Sequence, residues 1–167
     1  SVGGAEPFLE ANGLGPLLGL SRDAVPDLGA GETPLLAAPT EADALGVGRV
    51  GLKNEGQNPT GSLADREMAL AVGAAATAGA SDVALPSMGH GAQAAAAAAA
   101  RAGLASHSFV PSRTPFLNKA MINVHGGDMT VVEGRFPAAV AAFRTALAEA
   151  DWHSLAAFET PFRQAGV

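Results

Sequence analysis

Several short groups of residues carry side chains that could do chemistry. Asn58, Thr60, Gly61 and Ser62 stand directly ahead of an apolar, helix-like run. Backbone N–H groups and the positive end of a helix dipole could cradle an anion or an amino-acid carboxylate there; an ordinary turn and N-cap uses the same residue types. Ser87, Gly89, His90 and Gly91 form a second, glycine-bracketed loop. Ser87 and His90 are the types of a nucleophile and its base, but no acid at a useful spacing completes the set. His107, His125 and His153 are scattered, without the close spacing of metal ligands, so no metal site is expected. Asp65 and Glu67 are two apart on a helix, share no face and make no acid–base pair. Lys53 and Lys119 are the only lysines. Lys53 lies in a strand-like segment and would have to be desolvated to act as a nucleophile.

Alternating strands and helices must position these groups. Short apolar runs predict strands at 48–53, 82–87, 106–111, 128–133 and 153–158. Helices are predicted at 62–78, 91–102, 115–124 and 136–150. Ser62 is read as the cap of the first, with Asp65 favourably placed at its positive end. Gly79 and Gly103 sit where glycine ends helices, and Pro115 suits a first turn. Strand–helix alternation implies an α/β fold, a small parallel sheet with flanking helices. Residues 1–34 are rich in Gly and Pro and read as an irregular arm, with a short extended piece at Glu32-Thr33-Pro34-Leu35-Leu36. The arm's Leu14, Leu17, Leu18, Leu20 and Leu28 are expected against a neighbouring surface. The helix at 91–102 is nearly all alanine, which favours helix and close packing but buries little area.

The 167 residues give a domain-sized chain with 48% hydrophobic content and no cysteine, which excludes disulfides and thiolate metal sites. Net charge is −6, so a nucleic-acid partner is not expected. No apolar run is long enough for a membrane span and no signal peptide is evident, so the chain is expected in the cytoplasm, off the membrane. Excess acid with scarce lysine fits a salt-adapted proteome, and a GC-rich genome accounts for it equally.

Ordered blocks from Glu32 to Arg163 resemble one family. The run Lys53-Asn54-Glu55-Gly56-Gln57-Asn58-Pro59-Thr60-Gly61-Ser62-Leu63-Ala64-Asp65-Arg66 is similar to the cofactor-lysine segment of threonine synthases, pyridoxal-phosphate (PLP) enzymes of fold type II. Ser87-Met88-Gly89-His90-Gly91 resembles the family's Ser-x-Gly-Asn-x loop. Phe109-Val110-Pro111, Asn118-Lys119-Ala120-Met121-Ile122, Gly126-Gly127-Asp128 and Phe158-Glu159-Thr160-Pro161-Phe162-Arg163 resemble later segments. The resemblance implies conversion of O-phosphohomoserine to threonine and phosphate. It also implies a division into an arm with entry strand (1–46), a strand–helix unit of the large-domain type (47–79) and a small α/β domain (80–167).

The chain departs from that pattern. Ala64 stands where the family has its Schiff-base lysine, so no catalytic residue is assigned; a methyl group cannot form an imine. His90 stands for the asparagine that meets the cofactor ring oxygen, which leaves Ser87, Gly89, His90 and Gly91 as a vestigial cofactor loop. The chain ends at Val167, and the family's glycine-rich phosphate cradle is expected beyond it. On these grounds no cofactor is expected, and the chain reads as an inactive, truncated relative. The apolar faces of the arm and the 47–79 unit need a cover, from the small domain itself, a second copy or a complementary chain, and self-association or such a chain is expected. Two other readings are one half of a split enzyme and a small anion- or amino-acid-binding module.

Overall fold

The computed structural model describes residues 19–166; Leu14, Leu17 and Leu18 lie outside them. The elements run β1 (Leu35–Ala37), α1 (Pro39–Leu45), β2 (Gly51–Lys53), α2 (Ala64–Thr77), β3 (Asp82–Pro86), α3 (His90–Ala102), β4 (Ala105–Pro111), α4 (Phe116–Val124), β5 (Asp128–Val132), α5 (Phe136–Glu149), β6 (His153–Ser154) and α6 (Pro161–Ala165). β3 to β6 form one parallel sheet in the order β5-β4-β3-β6. The α/β class and the parallel sheet are as the alternation predicts.

The two faces of β3 are set by its period of two. Val83 and Leu85 join Met68, Ala71, Val72 and Ala75 of α2, Ala94, Ala95, Ala98 and Ala99 of α3, and Leu155 in one core cluster. Ala84, between them, faces the other way with Phe109, Ala139, Phe143 and Ala156. So α3 and α2 cover one face, and α5 covers the other. The alanines of α3 let it lie between sheet and neighbouring helices; residues 92–99 are all buried. Met68, Leu85, Ile122, Phe143 and Leu155 are fully buried and supply the area that alanine cannot, each contributing about 1.5–3 kcal/mol. Gly103 ends α3 in the left-handed region (φ 74°), as expected.

His107 is structural. Its Nε2 lies 2.8 Å from Asp82 Oδ1, and its ring stacks on Trp152 with centroids 4.2 Å apart. Hydrogen bonds from Ser81 and then from His107 lower the pKa of Asp82.

Four expectations change. The segment predicted as strand 48–53 is β2 alone, and it pairs antiparallel with β1 in a separate two-stranded sheet. Helix α1 was not foreseen; Pro39 opens it and Gly46 closes it, but its apolar side chains are too few for a periodic signal. Strand 153–158 shrinks to His153–Ser154, because the chain turns at 157–159 and enters α6. Ser62 is not the cap of α2: Leu63 holds that position, and Ser62 Oγ accepts from the Ala64 amide at 3.2 Å. The cover expected for the 47–79 unit comes, for α2, from within the fold. It packs on α3 and receives α6, whose Arg163 donates to both Glu67 carboxylate oxygens at 3.0 and 2.9 Å. Leu20 is buried and Leu28 packs against the α2–α3 core, whereas Leu35, Leu36 and Leu52 of β1 and β2 are exposed.

Candidate functional site

The candidate site lies where β3 ends and α3 begins, beside the start of α2. Ligands of open α/β sheets collect at the carboxyl ends of the strands. Two loops meet there. Gln93, buried in α3, donates through Nε2 to the Thr60 carbonyl at 2.9 Å and accepts through Oε1 from Asn118 Nδ2 at 3.3 Å. That relay ties the 58–64 loop to α3 and to the first turn of α4.

The 58–64 loop is satisfied internally except at the Leu63 amide, which has no acceptor among the described residues. Asn58 donates to the Glu55 carbonyl and carboxylate and accepts from the Gly31 amide. Thr60 gives its amide to Asp65 Oδ2 at 3.0 Å and its hydroxyl to Oδ1 at 2.9 Å. The Ser62 amide reaches the same carboxylate at 3.5 Å, and the Gly61 amide is held by the Asn58 carbonyl. A fork from Arg66 in the first turn of α2 anchors the loop's rear. Its Nε and a terminal nitrogen reach the Glu55 carboxylate at 2.8 and 2.7 Å. The Arg66 guanidinium, with Asn58 and Thr33, outweighs the effect of burial and lowers the Glu55 pKa to about 2. The same contact raises the pKa of Arg66. Lys53 donates to the carbonyls of Gly31 and Thr33, and Lys119 to the Ser112 carbonyl at 3.0 Å. The methyl of Ala64 packs, half-buried, against the α2–α3 core.

The 87–91 loop is open. Ser87 Oγ accepts from the amides of Gly89 (3.1 Å) and Ala92 (3.0 Å), so it caps α3 and is not turned to His90. Among the described residues, no acceptor holds the amides of His90 and Gly91. The His90 side chain is exposed. Gly89 is required here: its φ is 137°, and an added Cβ would come within 3.0 Å of the Asn118 side chain. Exposed Leu63, Met88, Phe116 and Leu117 stand on the segments that frame the two loops.

All the singled-out residues of the two loops therefore lie at one end of the sheet. His107, His125 and His153 lie elsewhere in the fold. Sequence reasoning missed Gln93 as the link and Asp65 as the loop's internal ligand. A lone polar residue within the alanine run 92–100 was the available signal for Gln93.

Comparison with known proteins fits this architecture. Residues 26–167 match the family model for pyridoxal-phosphate dependent enzymes, and the chain belongs to that family. Within it, the chain is similar to threonine synthases. It is 39% identical to that of Synechocystis sp. over 116 residues, 68% of this chain and 30% of that protein. It is 34% identical to that of Halalkalibacterium halodurans over 140 residues, 83% of this chain and 39% of that protein. The chain thus spans well under half the length of these relatives. Solved structures share the fold: maize serine racemase superposes with a TM-score of 0.74 at 16% identity, covering 99% of this chain and 47% of that one.

The family match corrects the expectation of no cofactor, since the family is PLP-dependent. That expectation came from Ala64, from His90 in place of the loop asparagine and from a phosphate cradle expected beyond Val167. Residue 64 decides covalent attachment, and hydrogen bonding to a cofactor does not require an imine. The residues present fit the group's polar edge: two amides with no acceptor among the described residues stand at the positive end of a 13-residue helix, with an exposed imidazole beside them. They do not offer an amine at position 64.

Proposed function

We propose that this chain is a threonine-synthase-like PLP domain that receives the cofactor without an imine at position 64. On this reading it does not complete the family reaction unaided. His90 and Gly91 would hold the cofactor's polar edge, Ser87 keeps their helix start in place, and Gly89 lets the backbone approach closely. When bound, PLP supplies an electron sink for substrate carbanions. The observation that carries the reading is Ala64, whose packed methyl offers no nitrogen, while both lysines donate to backbone carbonyls. The test is threonine formation from O-phosphohomoserine with PLP added. No turnover is expected from the chain or from Ala64→Lys alone; threonine formed by either contradicts the reading.

A second reading, half of a split enzyme completed by another chain, is favoured by exposed Leu63, Met88, Phe116 and Leu117 framing the two loops. Residues of that size left in water on one edge call for a cover. Co-expression with a chain carrying the rest of the family fold would then yield a stable complex that forms threonine.

A further inference from the structure

We infer that Asp65 is a built-in anion that occupies the Thr60 and Ser62 amides and excludes phosphate and carboxylate ligands from the start of α2. The sequence ahead of α2 has the makings of an anion cradle: a helix N-terminus preceded by a turn with glycine and hydroxyl residues. The structure shows what that cradle holds. Asp65 is 4% exposed and has no cationic partner among the described residues; its oxygens take the Thr60 amide at 3.0 Å, the Thr60 hydroxyl at 2.9 and 3.0 Å, and the Ser62 amide at 3.5 Å. A buried carboxylate without a cation persists where donors of this kind surround it.

Most of the other amides of the turn are also taken; that of Leu63 has no acceptor among the described residues. Gly61 donates to the Asn58 carbonyl at 2.8 Å, Ala64 to Ser62 Oγ at 3.2 Å and Arg66 to the Leu63 carbonyl at 3.1 Å. An external anion would have to displace Asp65 and then sit beside its charge, both unfavourable. Gln93 fixes the Thr60 carbonyl from the other side, so the loop cannot swing away to expose its donors without breaking that bond. The two helix starts at the site therefore differ: at α2 every amide of the turn but that of Leu63 is held, beside a buried carboxylate, whereas those of His90 and Gly91 at α3 have no acceptor among the described residues. The inference does not depend on the reading of Ala64, because it concerns inorganic anions as much as the cofactor.

Two measurements test it. In wild type, titration with inorganic phosphate should leave the amide resonances of Thr60 and Ser62 unmoved up to millimolar concentration; a saturable shift at both would overturn the inference. In Asp65→Ala, the melting temperature should fall and be recovered by formate, a carboxylate small enough for the vacated place, but not by chloride. A variant that melts lower and ignores formate would also overturn it. If Asp65→Ala does not fold at all, the wild-type titration decides alone.

Discussion

The starts of α2 and α3 face the same end of one sheet and are linked through Gln93, yet they are built oppositely. At α2 every amide from Gly61 to Ser62 and from Ala64 to Arg66 has a protein acceptor, and a buried carboxylate fills the turn. At α3 a serine holds the Gly89 and Ala92 amides, and among the described residues those of His90 and Gly91 stay unpaired beside an exposed imidazole. The α2 start is built for rigidity, and the α3 start retains the capacity to meet a ligand. The alanine at 64 belongs to the first of these: its methyl extends the core where an amine would have extended the site.

The comparison can be broken hardest at Gly89. Gly89→Ala forces a side chain into φ 137° and against Asn118, at a cost of about 3 kcal/mol. Denaturant unfolding should show that loss, together with altered amide resonances at Gln93 and Asn118. A loss no greater than that of a surface substitution would mean the α3 start is not held by this contact.

The rigid side is tested by acid. The pKa of Glu55 is depressed to about 2 from an ordinary 4.5. A depressed carboxylate stabilises the fold fully above its unfolded value and loses that contribution as pH falls through the folded one. Stability should therefore drop by about 2 kcal/mol between roughly pH 4.5 and pH 2 through this group. Glu55→Gln should be less stable at neutral pH and flatter across that window, measured by thermal melts at stepped pH. A variant with an unchanged slope would remove Glu55 from the account.

A smaller effect distinguishes the two serines at the helix starts. Ser87→Ala removes the acceptor for two buried amides and should cost about 1–2 kcal/mol. Ser62→Ala removes one acceptor, from Ala64, in a half-buried turn, and should cost less. Equal losses by chemical denaturation would erase the distinction.

The legible and illegible parts of the fold divide along physical lines. Helices α2 to α5 and strands β3 to β5 were readable to within two residues, because apolar runs and glycine stops are local signals. β1 and β2 were visible as extended pieces, but their antiparallel pairing was not, since which strands pair is a long-range choice. α6 was masked by a turn at 157–159 in which Phe158 adopts φ 65°, a conformation unusual for a large side chain. In the site, both loops were identifiable from glycine and hydroxyl residues. Their occupancy was not. Asp65 reads from sequence as a helix-dipole partner, and only the geometry shows it turned back to Thr60. The expectation of no cofactor weighed departures at residues 64 and 90 and a cradle expected beyond Val167 above a family that is PLP-dependent.

The most direct measurement is mass spectrometry of the protein after incubation with PLP and reduction by borohydride, which fixes any imine as a stable pyridoxyl group. The account predicts a chain at its native mass, with cofactor that dialyses away. Stoichiometric pyridoxyl on Lys53 or Lys119 would contradict it.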